Sequence, residues 1–365
     1  MYDFEYTIIG AGIIGLAIAR KLALEKKNVL ILEKNNSFGE ENSSRNSGVI
    51  HAGIYYNHEI LKSRLCVKGN KLLYQYAKER NIKHSNCTKL IISNSEAENS
   101  KLLTIKHNAE LCGVRLKLLE KKIVKQIEPE VECNLALLSK TTGIIDVHDL
   151  MLNFIIDIER NKGLINYRSE VSKIQKKKNK IYFHLKGIEN KGFTTKFLIN
   201  CAGLNSTKVA NLIVGINKRL IPKLRYVKGN YMKLSGKSPF NRLIYPIPNS
   251  DGLGIHSTIN LSNETIFGPD NKEISKINFK VDTDIKQKFI SSIKKYWPNI
   301  VRREIYSDYS GIRTKVTKND FLIQLPSEHR INGIINLFGI ESPGITSSIA
   351  ISEYLTNLLK KENEY

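Results

Sequence analysis

Three glycines and one acid stand at a spacing that suits a dinucleotide. The run Gly10-Ala-Gly-Ile-Ile-Gly15 is followed, at the end of the next apolar stretch, by Glu33. Gly10 permits a tight turn, Gly12 lets the backbone approach a pyrophosphate, and Gly15 lets a helix pack closely on the preceding strand. A helix that opens here presents unpaired N–H groups and its positive dipole end to phosphates. Glu33 is placed to accept a hydrogen bond from a ribose hydroxyl.

The elements needed to hold that arrangement are legible on either side. Phe4 to Ile9 alternates and is β-branched, which predicts a strand. Leu16 to Glu25 carries Ala and Leu at helical spacing, and Asn28 to Leu32 reads as a second strand ending at Glu33. The motif alone does not separate NAD from FAD, but two features favour FAD. The chain continues into a polar loop, Ser43-Ser-Arg-Asn-Ser-Gly48, instead of another strand–helix unit. It also returns much later to small-residue turns after strands, at Cys201-Ala-Gly203 and Ser342-Pro-Gly344. An extended FAD needs such distant segments. The helix predicted from Ile345 to Lys360 has Thr346, Ser347 and Ser348 in its first turn, and its N-terminus suits the negative charge of a reduced flavin.

Elsewhere, Leu61 to Arg80 predicts a helix, whereas Thr88 to Glu128 mixes strand and helix signals. Strands are expected at Leu164 to Tyr167, Val171 to Gln175, Ile181 to Leu185, Thr194 to Leu198 and Ile331 to Phe338, with more between Leu220 and Phe267. Lys176-Lys-Lys178 falls between two of them and reads as a solvated hairpin turn.

Composition sets the outer bounds. The chain has 365 residues, 41% hydrophobic and 25% charged, which is globular and excludes disorder and small disulfide scaffolds. At roughly 150 residues per domain this is about two domains. No repeat and no Pro/Gly/Ser-rich linker divides the chain, so a second domain must be built from insertions into the first. The longest uncharged stretch, Tyr6 to Ala19, is 14 residues, too short to cross a bilayer. No positive charge precedes it, so a signal peptide is not expected. The five cysteines are odd in number and lack CxxC spacing, so neither a disulfide framework nor a metal site is expected, and a reducing, cytoplasmic setting follows. The net charge of +22 is spread as lysine along the whole chain, which reads as compositional bias; no nucleic-acid partner is expected.

Taken together, the motifs resemble the D-amino-acid-oxidase-like superfamily of FAD-dependent oxidoreductases, and within it the L-2-hydroxyglutarate dehydrogenase/oxidase group. The most specific piece is Ser43-Ser-Arg-Asn-Ser-Gly-Val-Ile-His-Ala-Gly-Ile-Tyr-Tyr56, followed by Leu61-Lys-Ser-Arg-Leu-Cys-Val-Lys-Gly-Asn70. Asn200-Cys-Ala-Gly203, Val227-Lys-Gly-Asn-Tyr231, Tyr245-Pro-Ile-Pro248 and Gly252-Leu-Gly-Ile-His-Ser-Thr258 extend it. Gly268-Pro-Asp270, Ser310-Gly-Ile-Arg313 and Gly339-Ile-Glu-Ser-Pro-Gly344 complete it over nearly the full length. The chain departs from the hydroxyglutarate group at Lys228-Gly-Asn-Tyr231, where that group tends to carry Arg-Gly-Glu-Tyr, and at Gly339 to Pro343, where it tends to carry Asn-Ala-Pro-Ser-Pro.

The resemblance implies an α/β fold: a discontinuous Rossmann-type FAD-binding domain (1–85, 143–215 and 306–365) with an inserted α+β substrate domain (86–142 and 216–305) whose antiparallel sheet roofs the flavin. It implies cofactor contacts from Gly10, Gly12, Ile14, Gly15, Glu33, Lys34, Ser44, Arg45, Ser47, Gly48 and Val171, and from Ala202, Gly203, Gly311, Gly344, Ile345 and Thr346. It brings His51 and His256 near the isoalloxazine as proton acceptor and substrate clamp, in either order, with a covalent His51–flavin bond as a third role. Arg313 is the first choice to grip a substrate carboxylate bidentately. Lys228, Tyr231 and Tyr56 are further substrate-binding candidates. The implied activity is oxidation of a small L-2-hydroxy acid, above all L-2-hydroxyglutarate, with an amino acid, a secondary amine or glycerol 3-phosphate as alternative substrates. Electrons would pass to oxygen or to a quinone, and the +22 charge suits peripheral attachment to an anionic membrane face.

Overall fold

Phe4–Ile9 forms a strand because its β-branched, apolar residues are buried on both faces, as a central parallel strand requires. Its neighbours are Val29–Leu32 on one side and the end of Ile188–Asn200 on the other, both parallel to it. Leu164–Asn166 extends the sheet beyond Val29–Leu32, and Ile334–Phe338 extends it beyond Ile188–Asn200, again in parallel. The chain order thus reverses at the first strand, and the glycine turn lies at that strand's C-terminal end, where open α/β sheets bind ligands. The computed structural model describes residues 2–248, 254–317 and 319–363. Gly252 and Leu253 of the Gly252–Thr258 motif, and the outermost domain limits 1 and 365, lie outside the described residues.

Two compact units are present. The first comprises Met1–Ser44, Val147–Arg225 and Arg313–Tyr365 and contains this parallel sheet. Its helices Ile13–Leu24, Val147–Arg160 and Gly344–Asn363 pack together. Val147–Arg160 buries Leu150, Met151, Phe154, Ile155 and Ile158, an apolar stripe at helical spacing. Arg20 Nε donates to Asp157 Oδ2 across the Ile13–Leu24 and Val147–Arg160 helices at 2.6 Å. Val171–Lys177 and Lys180–Leu185 form the antiparallel hairpin expected around Lys178, which takes a left-handed conformation at the turn (φ +49°).

The second unit comprises Arg45–Asp146 and Tyr226–Ile312. Residues 45–85, expected with the FAD-binding segments, therefore pack here. The unit is built on a nine-stranded sheet, ordered Lys272–Ile274, Arg225–Leu234, Thr265–Phe267, Ser257–Ile259, Leu243–Pro246, Lys89–Ser93, Leu135–Ser139 and Leu116–Glu120, with Ile305–Lys315 also on Arg225–Leu234. Neighbours along this order run antiparallel except Leu243–Pro246 with Lys89–Ser93, which are parallel, so the sheet is mixed. A core that includes Leu90, Ile92, Phe267, Phe289, Tyr296 and Trp297 joins one face of the sheet to the Lys286–Ile293 helix. A second cluster, with Ala52, Ile54 and Leu102, takes in Ile91, which alternates with Leu90 and Ile92 to the opposite face of the Lys89–Ser93 strand.

The ambiguous stretch 88–128 resolves into two strands and two helices, Lys89–Ser93, Glu96–Leu111, Leu116–Glu120 and Lys121–Ile127. Glu96–Leu111 is hard to read in sequence because only Leu102 and Ala109 of its residues are buried, too few to write an apolar stripe.

Candidate active site

In the first unit the glycine turn is built as its spacing predicts. Gly10 has φ +107°, and a Cβ on it would stand 2.7 Å from Cys201 O, so both its conformation and its packing exclude a side chain. A Cβ on Gly15 would stand 2.0 Å from Gly10 O, which shows how tightly the helix sits on the turn. Gly12 caps the Ile13–Leu24 helix with no side-chain bond of its own. Ser43 Oγ instead accepts from Ile13 N at 3.0 Å. Glu33, 7% exposed, accepts from Ala11 N (2.8 Å) and Asn35 N (2.9 Å), one bond to each carboxylate oxygen. The acid thereby fixes the turn.

The other cofactor candidates of this unit fall into three groups. Lys34 is ion-paired with Glu41 at 2.6 Å and Ser44 Oγ donates to Gly39 O, so both brace the loop after Glu33. Val171 is buried at the start of its strand, pairing with Leu185. Ala202 and Gly203 follow Cys201, whose N–H donates to Ile9 O, and Ala202 N donates to Asn200 Oδ1. Gly344 opens the C-terminal helix beside Ile14, whose Cδ1 would lie 3.9 Å from a Cβ at that glycine. Ile345 follows half-buried, and Thr346, Ser347 and Ser348 are fully buried. The Ser347 and Ser348 hydroxyls have no hydrogen-bond partner among the described residues. Arg313 is half-buried on Ile305–Lys315, at the boundary where the chain enters this unit.

In the second unit, Arg45 lays its guanidinium over the Phe279 ring at 4.5 Å, with Nε buried and without a hydrogen-bond partner among the described residues. Its carbonyl abuts Gly311, where a Cβ would come within 2.4 Å, and Tyr309 Oη donates to Asn46 O. Ser47 is half-buried in the same turn, and Gly48 (φ +61°) donates to Asn46 Oδ1 and accepts from Ile145 N. His51 is half-buried, and its carbonyl accepts from Asn70 Nδ2 (2.9 Å) and Cys66 Sγ. Tyr56 O accepts from Asn108 Nδ2 (2.7 Å), and the Lys62 ammonium lies 5.3 Å from the Tyr56 ring.

His256 is 3% exposed and stacks on Tyr245, centroids 3.7 Å apart. Its Nδ1 lies 3.2 Å from Gly254 O. A carbonyl only accepts, so this contact requires the proton on Nδ1 and leaves Nε2 as the basic nitrogen of the neutral ring. Tyr231 stacks on Tyr309 at 4.4 Å. Burial pushes the Tyr309 phenol well above its ordinary pKa. The ammonium of Lys228, expected as a substrate cation, bonds Asp282 Oδ1 at 2.8 Å and Lys280 O. Asp282 and Asp270 also tie in Asn230, making a polar network inside the unit.

A sequence profile described as DAO, FAD dependent oxidoreductase, matches residues 5–358. The chain belongs to this family. It is 36% identical to the mitochondrial L-2-hydroxyglutarate dehydrogenase of Arabidopsis thaliana, over 97% of this chain and 83% of that protein. It is 30% identical to a glycerol 3-phosphate dehydrogenase of Caloramator mitchellensis, over 98% of this chain and 74% of that one. In structure it is similar to the dithionite-reduced L-α-glycerophosphate oxidase of Mycoplasma pneumoniae with FAD bound (TM-score 0.90, 24% identity, 99% and 95% of the two chains). A family of FAD-dependent oxidoreductases fixes the cofactor class and makes this chain an enzyme.

The residues of the first unit fit that cofactor. The Gly12 cap leaves the start of a helix open to a phosphate, and two buried serine hydroxyls lacking partners stand at the start of the Gly344–Asn363 helix, as polar groups awaiting a polar ligand do. No helix among the described residues is long and apolar enough to cross a membrane.

Several residues of this family member's second unit escaped the reading of the sequence. Lys89 is the foremost: it is 0% exposed, and its ammonium lies 4.7 Å from the Tyr55 ring and 4.6 Å from the Tyr245 ring. Burial pulls its pKa down to about 7. The available signal was a lysine opening an otherwise apolar strand, Lys89-Leu-Ile-Ile92. Asn70 and Asn108, which hold the His51–Tyr56 loop, carry no comparable mark.

Proposed function

We propose that this flavoenzyme oxidises a small L-2-hydroxy acid, most specifically L-2-hydroxyglutarate, to the 2-oxo acid. The observation that carries the reading is the 36% identity, across 97% of the chain, to an L-2-hydroxyglutarate dehydrogenase. The chemistry of the second unit supports it. FAD, when bound, supplies the acceptor for the two electrons and the hydrogen that leave Cα. The chain must then remove the hydroxyl proton and hold the carboxylates. His256 suits the first task, because its Nδ1–H is committed to Gly254 O and its neutral form accepts a proton at Nε2. His51 is the second candidate, held through its own carbonyl. Arg313 is assigned the carboxylate, since a planar guanidinium pairs with it bidentately. Tyr56 and Tyr231 are assigned hydroxyl contacts to the substrate. With its ammonium engaged by Asp282, Lys228 is assigned to the support of Tyr231, three residues along the same strand.

The second reading is oxidation of glycerol 3-phosphate, favoured by the 30% identity to a glycerol 3-phosphate dehydrogenase. Both substrates are anionic secondary alcohols, so the same base and cation serve either. Anaerobic addition of L-2-hydroxyglutarate and of glycerol 3-phosphate to the purified holoenzyme separates them. Bleaching of the flavin band by the hydroxy acid alone is expected, and an oxidised spectrum that persists with it sinks the proposal. For the acceptor we propose oxygen or a quinone, with the +22 charge supporting peripheral contact with an anionic membrane face on the cytoplasmic side. Release from membrane fractions by salt is expected.

A further inference from the structure

Lys89 stands in the strand Lys89–Ser93, between Leu243–Pro246 and Leu135–Ser139. Its ammonium is fully buried and has no hydrogen-bond partner among the described residues. The faces of Tyr55 and Tyr245 are what it meets instead. Two ring faces attract a cation, but they return only part of the hydration it gave up. For packing alone, methionine would fill the same space and stabilise the unit more, because it carries no charge to desolvate. The charge therefore costs stability, and its use has to be sought in what the rings do next.

Tyr245 supplies the answer. The ring whose face meets Lys89 is also the ring on which His256 stacks at 3.7 Å. A π face polarised by one cation holds a second cation less well, and two positive charges linked through one ring repel. The imidazolium form of His256 is penalised by this arrangement and the neutral form is not. Among the described residues, the phenols of Tyr55 and Tyr309 act on Tyr245, Tyr56 acts on Tyr55, the thiols of Cys66 and Cys112 lie on the Lys89 side, and Tyr231 and the Asp308 carboxyl act on Tyr309. Burial pushes Tyr55, Tyr309 and Cys66 further up, away from neutrality. Lys89, at about 7, changes charge near physiological pH.

We propose that Lys89 is a positioning residue for the reaction, a buried cation that acts through the Tyr245 ring to keep His256 neutral, with its proton on Nδ1. The rate consequence rests on the reading of His256 as the proton acceptor; the electrostatic coupling itself does not.

The experiment is a titration of histidine ring signals by NMR in the holoenzyme, with His256 assigned from the signal lost in His256→Gln. Wild type is compared with Lys89→Met, which keeps length and removes charge, and with Lys89→Arg, which keeps charge at every pH. In Lys89→Met the His256 midpoint is expected to rise by about one pH unit, the size of a like-charge effect across one ring at an effective dielectric of ~20. The acid limb of kcat/KM should move up with it, while the rate on the alkaline plateau stays within about threefold. Lys89→Arg should retain the wild-type midpoint. A midpoint unchanged in Lys89→Met, or raised equally in both variants, overturns the proposal whatever the flavin does. A raised midpoint in an enzyme that no hydroxy acid bleaches overturns the proposed function and leaves the coupling standing.

Melting curves give a readout free of both substrate and NMR assignment. A lysine whose pKa is lowered by folding binds its proton more weakly in the native state. Its penalty is therefore full below pH ~7 and lifts as pH rises toward ~10, where the unfolded chain also loses the proton. Lys89→Met should melt above wild type, by most at pH 6, with the gap closing at alkaline pH. A gap that is absent or independent of pH shows that no charge is buried at this position and overturns the proposal.

Discussion

Tyr245 and His256 lie face to face, with ring centroids 3.7 Å apart and planes 21° from parallel. The stack fixes the plane of the imidazole, and the Gly254 carbonyl fixes its rotation. An aromatic pair of this kind is worth about 0.5–1.5 kcal/mol beyond its buried area, but its larger effect is on aim. A base displaced by about an ångström loses up to ~100-fold in rate. Replacing Tyr245 with Leu is therefore expected to slow anaerobic flavin reduction by about ten- to a hundredfold, with FAD content unchanged. Tyr245→Phe keeps the stack and should retain most of the rate. Equal losses in both variants would show that the stack does not aim the histidine.

The loop from His51 to Tyr56 has no regular structure to hold it, so its carbonyls must be satisfied by side chains. Asn70 Nδ2 donates to His51 O and Thr141 O, both at 2.9 Å, and Asn108 Nδ2 donates to Ile54 O and Tyr56 O at 3.0 and 2.7 Å. Each buried carbonyl left without a donor costs about 1–3 kcal/mol. Asn70→Leu should thus lower unfolding stability by about 2–4 kcal/mol in urea and reduce kcat more than it raises KM. A variant that keeps both stability and rate would remove Asn70 from the support of His51.

The dinucleotide turn was legible because its chemistry is local. Gly10, Gly12, Gly15 and Glu33 lie within one strand–helix–strand unit, so spacing and periodicity carry the whole message. The helix Val147–Arg160 was not anticipated, although Leu150, Met151, Phe154 and Ile158 mark it plainly once seen. The second unit was legible only as strands in the plural. Its order brings Lys89 beside Tyr245 through a parallel pairing between segments about 150 residues apart, and no local pattern encodes that. The ion pair that engages Lys228 has the same origin, since Asp282 lies outside its motif and outside its strand. Motif position identified Lys228 as a notable cation; only the fold shows where its charge goes.

Gly12 and Ser43 test the phosphate end of the cofactor site separately from the catalytic end. A Cβ at Gly12 would meet Ser43 Oγ at 3.1 Å, tight but relieved by a small side-chain shift, so Gly12→Ala should fold. Its methyl group would stand where the backbone must come close to a pyrophosphate. Purified Gly12→Ala is expected to be largely colourless and to bind added FAD at least tenfold more weakly than wild type. Gly15→Ala is a different case, because its Cβ would overlap Gly10 O at 2.0 Å, and loss of soluble protein is expected. A yellow, fully loaded Gly12→Ala enzyme would refute the assignment of the phosphates to this turn.

The Lys228–Asp282 pair makes a prediction with a defined pH window. The hydrogen bond from Lys228 holds the Asp282 carboxyl below its ordinary pKa, working against partial burial, which raises it. A carboxylate depressed by folding adds stability above its unfolded pKa and loses it as pH falls through the folded value. Lys228 is 3% exposed, and its ammonium also donates to Lys280 O, so its removal leaves two acceptors short of a donor. Lys272 remains 3.0 Å from the other Asp282 oxygen and limits the damage. Lys228→Met is accordingly expected to destabilise the enzyme by about 1–3 kcal/mol at neutral pH. The difference from wild type should stay flat down to about pH 5 and shrink below about pH 4, as Asp282 takes up its proton in both proteins. If Lys228 instead met the substrate directly, the same variant would raise KM while leaving the urea midpoint and its acid dependence in place, and parallel unfolding and kinetic measurements decide between the two roles.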